Sequence, residues 1–151
     1  MWASIVNTRE AVREDFDAIM FLYRQLQPHD PILKDGSDLE VFHEILESNW
    51  LKLFVLEKEG AICSTIYLNI VPNISRAARP YAVIENVVTA KTEQGKGYGK
   101  ALMQHVLSHA WSVGCYKAML LTGSNKEAIH AYYRSCGFNG NVKTGYVAKP
   151  T

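Results

Sequence analysis

The sequence contains few cysteines and no arrangement that would make them a structural framework. Cys63, Cys115 and Cys136 are odd in number and widely spaced, without the short paired spacing of a zinc cluster. This spacing argues against both a set of disulfides and a metal site, and it favours a reducing, cytoplasmic setting. No window approaches the roughly 20 apolar residues of a membrane span. Arg9 and Glu10 stand where a signal peptide would be apolar.

Net charge is also nearly absent, because 16 lysines and arginines offset 15 aspartates and glutamates and leave a formal charge of +1. We therefore expect no nucleic-acid partner and no membrane partner, and any binding site for an anion has to be local. The chain has 151 residues, of which 48% are hydrophobic, and it shows no internal repeat or flexible linker. This size and composition predict a single domain over residues 1–151 with its own hydrophobic core.

The order of periodic segments predicts a mixed α/β fold. Apolar residues at helical spacing predict one helix that ends before Pro28 and a second that begins near Ser37. Two later helices follow a glycine-rich segment and Ser124, whose distance from Glu127 is that of a capping box. Glu59-Gly60 predicts a hairpin turn. Strands are predicted over residues 4–8, 51–57, 61–71, 81–90, 117–122 and 142–147. Together these elements predict a mostly antiparallel sheet of six or seven strands flanked by about four helices.

The strongest functional signal is the glycine-rich segment Gln94–Lys100, which lies between a buried strand and a helix. Its three glycines allow backbone amides to approach a ligand, and the helix that follows adds the positive end of its dipole. This pattern favours a phosphate or diphosphate ligand, the alternative being a turn that only packs the helix on the sheet. A Walker loop is excluded because Gln94 and Ala101 replace its first glycine and its hydroxyl residue. A dinucleotide fingerprint is excluded because Lys100 occupies the place of its third glycine.

The remaining pattern, Gln94 with Gly97 and Gly99, resembles the acyl-CoA loop of the GNAT superfamily of N-acetyltransferases. Nearly the whole chain follows the superfamily's order of strands and helices. A second motif of the superfamily, on the last helix, has its counterparts in Asn125, Ala128, Tyr133, Gly137 and Phe138. The resemblance implies acetyl-CoA as co-substrate, with its diphosphate on the amides of residues 95–100 and its pantetheine arm along the preceding strand. The binding residues that it implies are Val87, Val88, Thr89, Gln94, Gly95, Lys96, Gly97, Tyr98, Gly99, Lys100 and Asn125. For Asn125 a role at the start of the helix is the alternative.

Transfer of an acetyl group to an amine makes three demands on a site. The amine, with a pKa of ~10, has to lose a proton before it attacks. The oxyanion that forms needs a donor, and the leaving thiolate needs a proton. Glu85, set in an apolar strand, is the candidate base, and a solvated or salt-bridged glutamate is the alternative. The resemblance implies a backbone amide at Val87 or Val88 as the donor. It implies Tyr133 as the acid, with Tyr132 as the alternative.

The segments at Glu85–Val87, 114–117 and 136–138 resemble the small-molecule branch of the superfamily, which includes glucosamine-6-phosphate N-acetyltransferase. Asn86 stands where that group tends to carry a second acidic residue, so recognition of an amino sugar does not follow. The resemblance implies an acceptor site shaped by the first two helices and by residues 27–36 and 71–80, and it makes a homodimer possible. The predicted function is acetyl transfer to the primary amine of a small molecule. The alternatives are a protein or peptide acetyltransferase and a non-catalytic module that senses coenzyme A.

Overall fold

A five-stranded mixed sheet organises the described part of the chain, residues 4–151, in this computed structural model. The strands follow one another across the sheet in chain order; the first four are antiparallel and the fifth runs parallel to the fourth. They are β1 (Val6–Glu10), β2 (Leu51–Lys58), β3 (Ala61–Val71), β4 (Tyr81–Thr89) and β5 (Ala118–Met119). Glu59 and Gly60, with φ of 51° and 82°, connect β2 to β3. Both residues have the left-handed conformation that a tight two-residue hairpin requires, so the predicted turn is confirmed.

Residues 4–151 also form five helices. They are α1 (Phe16–Leu26), α2 (Ser37–Glu47), the four-residue α3 (Ser75–Ala78), α4 (Tyr98–Ser112) and α5 (Glu127–Ser135). Short 3-10 turns over Arg13–Asp15 and Lys91–Glu93 precede α1 and α4. Within this part of the chain no helix combines the length and the apolar character needed to cross a membrane.

The alternation of side chains along β2 divides the core between the two faces of the sheet. Phe54 belongs to a buried cluster with Val106 of α4. Its neighbour Val55 belongs to a second cluster with Ile19 of α1 and Phe42 of α2. α4 therefore covers one face and the pair of α1 and α2 covers the other. β4 contacts both α1 and α4, so a site at its end can draw residues from both layers.

The prediction of six or seven strands was wrong, because the last two predicted strands are mostly missing. β5 comprises only Ala118–Met119 of the predicted 117–122, and residues 142–147 form no strand. Tyr146 is 92% exposed in that stretch. The composition there is typical of a strand, but a strand forms only where a neighbour accepts its hydrogen bonds. The helix count also rises from about four to five, since α3 forms within the connection of residues 71–80.

The starts of β1 and α5 differ from their predictions. β1 begins at Val6 rather than at residue 4. The capping box predicted for α5 was wrong, because the N-cap residue is Lys126 and its side chain makes no capping bond. The Ser124 hydroxyl instead accepts a hydrogen bond of 3.2 Å from the Lys126 backbone N–H. The serine thus stabilises the turn that leads into the helix, two residues before the cap.

Candidate active site

The glycine-rich loop joins the end of β4 to the start of α4. Gly95 and Gly97 have φ of 76° and 86°, a left-handed conformation in which a residue with a Cβ is strained. Gly97 is the N-cap residue of α4, so the unpaired amides of this 15-residue helix begin within the loop. No heavy atom lies within 4 Å of the place that a Cβ would take at either glycine. The loop therefore offers an open turn at the positive end of a helix dipole, which fits a phosphate or diphosphate.

Gly99 has a different role from the other two glycines. A Cβ at this position would lie 3.0 Å from Oγ1 of Thr89 and 3.4 Å from the hydroxyl oxygen of Tyr132. The absence of a side chain thus allows α4 to approach β4 and α5 closely. The alternative that the glycines only pack a helix on the sheet accounts for Gly99, but it leaves the conformations of Gly95 and Gly97 unexplained.

Side chains next to the loop are held by other groups of the protein. Gln94 donates a hydrogen bond of 3.1 Å from Nε2 to the backbone carbonyl oxygen of Thr89. Lys96 and Lys58 form ion pairs with the carboxylate of Glu93 at 3.0 Å and 3.2 Å. The hydrogen bonds from these two lysines lower the pKa of Glu93. Gln94 and Lys96 therefore fix the shape of the loop, and its open surface is formed by the backbone.

The other predicted binding side chains lie in the first turn of α4 and ahead of α5. Tyr98 is half-buried, and the Nζ atom of Lys58 lies 5.7 Å from the centre of its ring. Lys100 and Asn125 are exposed. The N-cap residue of α5 is Lys126, so Asn125 does not supply the helix cap that was its alternative role.

A β-bulge interrupts β4 just before the loop. The pairing register shifts by one residue, so that Asn86 and Val87 face a single residue of β3. Asn86 has a φ of 51°, a left-handed conformation that asparagine tolerates better than most residues. Because a bulge leaves the extra residue unpaired, it locally disrupts the ladder of backbone hydrogen bonds. The disruption includes Val87, one of the two residues, Val87 and Val88, at which the resemblance implies a free amide.

Glu85 lies directly before this bulge and is exposed. It pairs with Tyr67 across β3 and β4, and paired residues of antiparallel strands point to the same face of the sheet. Ile84 and Val88 are buried, whereas Glu85 and Asn86 are open to solvent. The bulge thus opens an otherwise apolar strand at this point. Glu85 is not enclosed by apolar side chains, contrary to what the composition of its strand predicts.

Tyr133, on α5, is close enough to Glu85 for the charge of the carboxylate to act on it. Burial raises the pKa of Tyr133, and smaller electrostatic effects of Cys136 and of the Glu85 carboxylate act in the same direction. Its ring packs against those of Tyr132 and Phe138, with centroids 5.0 Å and 6.1 Å away. The predicted base therefore lies within electrostatic range of the predicted acid. A phenol that stays protonated at neutral pH beside a carboxylate can donate a proton.

A cavity of about 460 Å³ opens beside the bulge, between α1, α2 and the strands. Asn86 and Tyr67 line it, together with Tyr23 of α1. Burial raises the pKa of Tyr23 to about 12, with a smaller opposing effect from Asn86. Tyr23 and Tyr67 were not predicted as site residues, because a helix and a strand far apart in the chain bring them together. The sequence signal that could have indicated them is the hydroxyl that each tyrosine adds, one to the apolar face of α1 and one to the mostly apolar run of β3.

This chain is similar to known acetyltransferases in sequence and in fold. A sequence model of the acetyltransferase (GNAT) family matches residues 12–138. A glucosamine 6-phosphate N-acetyltransferase of Trypanosoma brucei brucei is 32% identical over 92 residues, a match that spans 61% of this chain and 60% of that relative.

Two solved structures extend the similarity over the whole fold. A candidate acetyltransferase from Agrobacterium tumefaciens str. C58 is 43% identical with a TM-score of 0.90, over 95% of this chain and 99% of that one. The glucosamine-6-phosphate N-acetyltransferase of Arabidopsis thaliana is 25% identical with a TM-score of 0.83, over 97% and 98%.

Proposed function

Because this chain belongs to the acetyltransferase (GNAT) family, we propose that it transfers an acetyl group from acetyl-CoA to a primary amine of a small molecule. The acceptor would attack directly, within a ternary complex. The predicted family and the predicted class of enzyme, an acetyl-CoA-dependent N-acetyltransferase, are confirmed at the level of the family. The observation that carries the proposal is the open loop of Gly95 and Gly97 at the start of α4, directly after a bulged strand.

The loop and the strand before it form the proposed binding site for acetyl-CoA, whose thioester supplies the acetyl group. The amides of residues 95–100 would hold the diphosphate, because they combine unpaired donors with a positive helix dipole. Backbone groups of Val87, Val88 and Thr89 would pair with the pantetheine arm like an added strand. Lys100 and Asn125 are exposed and would contact the ligand, and Gln94 would keep the loop in place through its bond to Thr89.

Glu85 is the proposed base and Tyr133 the proposed acid. An ordinary primary amine is an ammonium ion at neutral pH, with a pKa of ~10, so Glu85 would take its proton directly or through water. The exposure of Glu85 permits either route. Burial raises the pKa of Tyr133, which keeps the phenol protonated until the leaving thiolate needs a proton. A backbone amide at the bulge, of Val87 or Val88, would donate to the carbonyl oxygen as its charge grows.

A panel of amines scored by free thiol tests the proposal. Amino sugars, polyamines, aralkylamines and lysine peptides are incubated with acetyl-CoA and the protein, and binding of acetyl-CoA is followed in parallel by the rise in Tm. We expect thiol release with at least one small amine. Release with lysine peptides alone would favour the protein acetyltransferase. Binding of acetyl-CoA without release from any amine would favour the non-catalytic sensor and overturn the proposal.

A further inference from the structure

The cavity beside the bulge is lined by immediate neighbours of Glu85. Its wall includes Asn86, the residue that follows Glu85, and Tyr67, the residue that pairs with Glu85 across the sheet. A volume of about 460 Å³ lies within the usual range of small-molecule sites. A ligand in this cavity would therefore have one end at the bulge.

The wall of this cavity is apolar over most of its extent. α1 contributes Phe16, Ile19 and Met20, and α2 contributes Val41 and Phe42. A ring or a branched aliphatic group in this space would remove its apolar surface from water and pack against aliphatic and aromatic side chains, which favours binding. Tyr67 and Asn86 add a hydroxyl and an amide to the part of the wall at the bulge, where an amine would have to stand.

The charges around the cavity favour a cation over an anion. Asp38 is the charged residue in its wall, which includes no lysine or arginine. Arg24 and Lys34 instead line an adjoining cavity of about 650 Å³, whose wall does not include Asn86. A phosphate in the cavity beside the bulge would lose water without gaining a cationic partner.

We propose that the acceptor is a primary amine on an apolar, ring-sized body without a phosphate, held in the cavity between α1, α2 and the bulge of β4. This inference rests on the proposed function, and it names the substrate class of that site. The proposed acceptor differs from glucosamine 6-phosphate, the phosphorylated amino sugar in the names of two similar proteins. The reason is that the wall of this cavity lacks the cationic side chains that a phosphate needs.

Three amines and two variants test the inference in the 151-residue chain. 2-Phenylethylamine, ethylamine and glucosamine 6-phosphate are compared by kcat/KM for thiol release, and by calorimetric titration with coenzyme A present and absent. Val41→Arg adds a cation to the wall at a residue that is 52% exposed, so the fold tolerates it. Ile5→Arg adds the same charge at a residue that is 80% exposed and lines neither cavity.

We expect 2-phenylethylamine to exceed each of the other two amines at least tenfold in kcat/KM and in affinity. Val41→Arg is expected to lower the affinity for 2-phenylethylamine at least fivefold. Ile5→Arg is expected to bind it with the affinity of the parent. The inference would be overturned if glucosamine 6-phosphate bound as tightly as 2-phenylethylamine or more tightly, or if Val41→Arg left the affinity for 2-phenylethylamine unchanged. Thiol release in that case would still support the proposed function. Absence of thiol release with the expected order of affinities would overturn the proposed function and support the inference for the cavity.

Discussion

The hydroxyl of Tyr132 donates a hydrogen bond of 2.9 Å to the backbone carbonyl oxygen of Gly99. Burial raises the pKa of Tyr132 strongly, so this proton stays on the phenol. The bond fastens α5 to the first turn of α4 and occupies the hydroxyl. Of the two adjacent tyrosines, Tyr132 therefore holds the loop together, and among the described residues no group forms a hydrogen bond with the hydroxyl of Tyr133.

The two tyrosines should respond differently to loss of the hydroxyl. We expect Tyr133→Phe to lower kcat for thiol release roughly tenfold or more, with Tm and the stabilisation by acetyl-CoA unchanged. Tyr132→Phe removes a partly buried hydrogen bond and should lower the free energy of unfolding by about 1 kcal/mol, with a smaller effect on kcat. Steady-state kinetics and thermal unfolding of both variants measure the difference. A greater loss of kcat in Tyr132→Phe would assign the acid to Tyr132.

Gly97 should be required for binding of acetyl-CoA as well as for stability of the fold. Alanine at this φ of 86° is strained, and the loss in stability is expected to be about 1–2 kcal/mol. Gly60 is the matched control, because its φ is 82° and its Cβ position is equally open. We expect Gly97→Ala and Gly60→Ala to lower Tm similarly. Only Gly97→Ala is expected to lower the affinity for acetyl-CoA, by about tenfold or 1.4 kcal/mol. Calorimetric titration checks this. Equal affinities in the two variants would place the diphosphate elsewhere.

The sequence was most informative where a local pattern and a turn agreed. β3 extends over Ala61–Val71 as predicted, because its aliphatic run is bounded by the Glu59-Gly60 turn. The same composition failed at residues 142–147, since a strand also needs a neighbour that local sequence does not specify.

In the candidate site too, the sequence predicted the local motif but not the features that depend on packing between distant segments. The glycine loop was visible as a motif, because its residues are consecutive. The bulge at Asn86 depends on the register between β3 and β4, and the meeting of Tyr23 with Tyr67 depends on how α1 packs on β3. Glu85 is exposed because it alternates with buried Ile84 next to that bulge, and an apolar neighbourhood in the sequence does not indicate this.

Loss of the carboxylate at position 85 should slow the reaction in a manner that depends on pH. We expect Glu85→Gln to reduce kcat about tenfold or more near neutral pH, because the ammonium form of the acceptor keeps its proton. The deficit should shrink as pH rises toward the amine's own pKa of ~10, where the free amine forms without a base. Profiles of kcat against pH for the parent and the variant measure this. Glu44→Gln, at an exposed position of α2, is the control. A deficit that is constant with pH would remove Glu85 as the base.

The buried carboxylate of Asp15 should make the fold sensitive to acid. It accepts hydrogen bonds from Arg9 at 2.6 Å and from the Val12 backbone N–H at 2.8 Å. Burial alone would raise the pKa of Asp15, but these bonds outweigh it and lower the pKa. The folded protein therefore holds this proton less tightly than the unfolded chain, whose aspartate pKa is about 3.9. The contribution to stability is present above that pH and is lost as pH falls through the folded pKa.

Asp15→Asn tests this assignment by removing the group that titrates. We expect a loss of about 1–3 kcal/mol in the free energy of unfolding at neutral pH, since Arg9 loses its charged partner. The variant should also lose less stability than the parent as pH is lowered below about 4, because it no longer has this proton to bind. Denaturant unfolding between neutral pH and the acid range measures both effects. Glu14→Gln changes an exposed carboxylate in the same turn and should retain the parent's pH dependence. If Asp15→Asn follows the parent's curve throughout, acid sensitivity arises from other carboxylates.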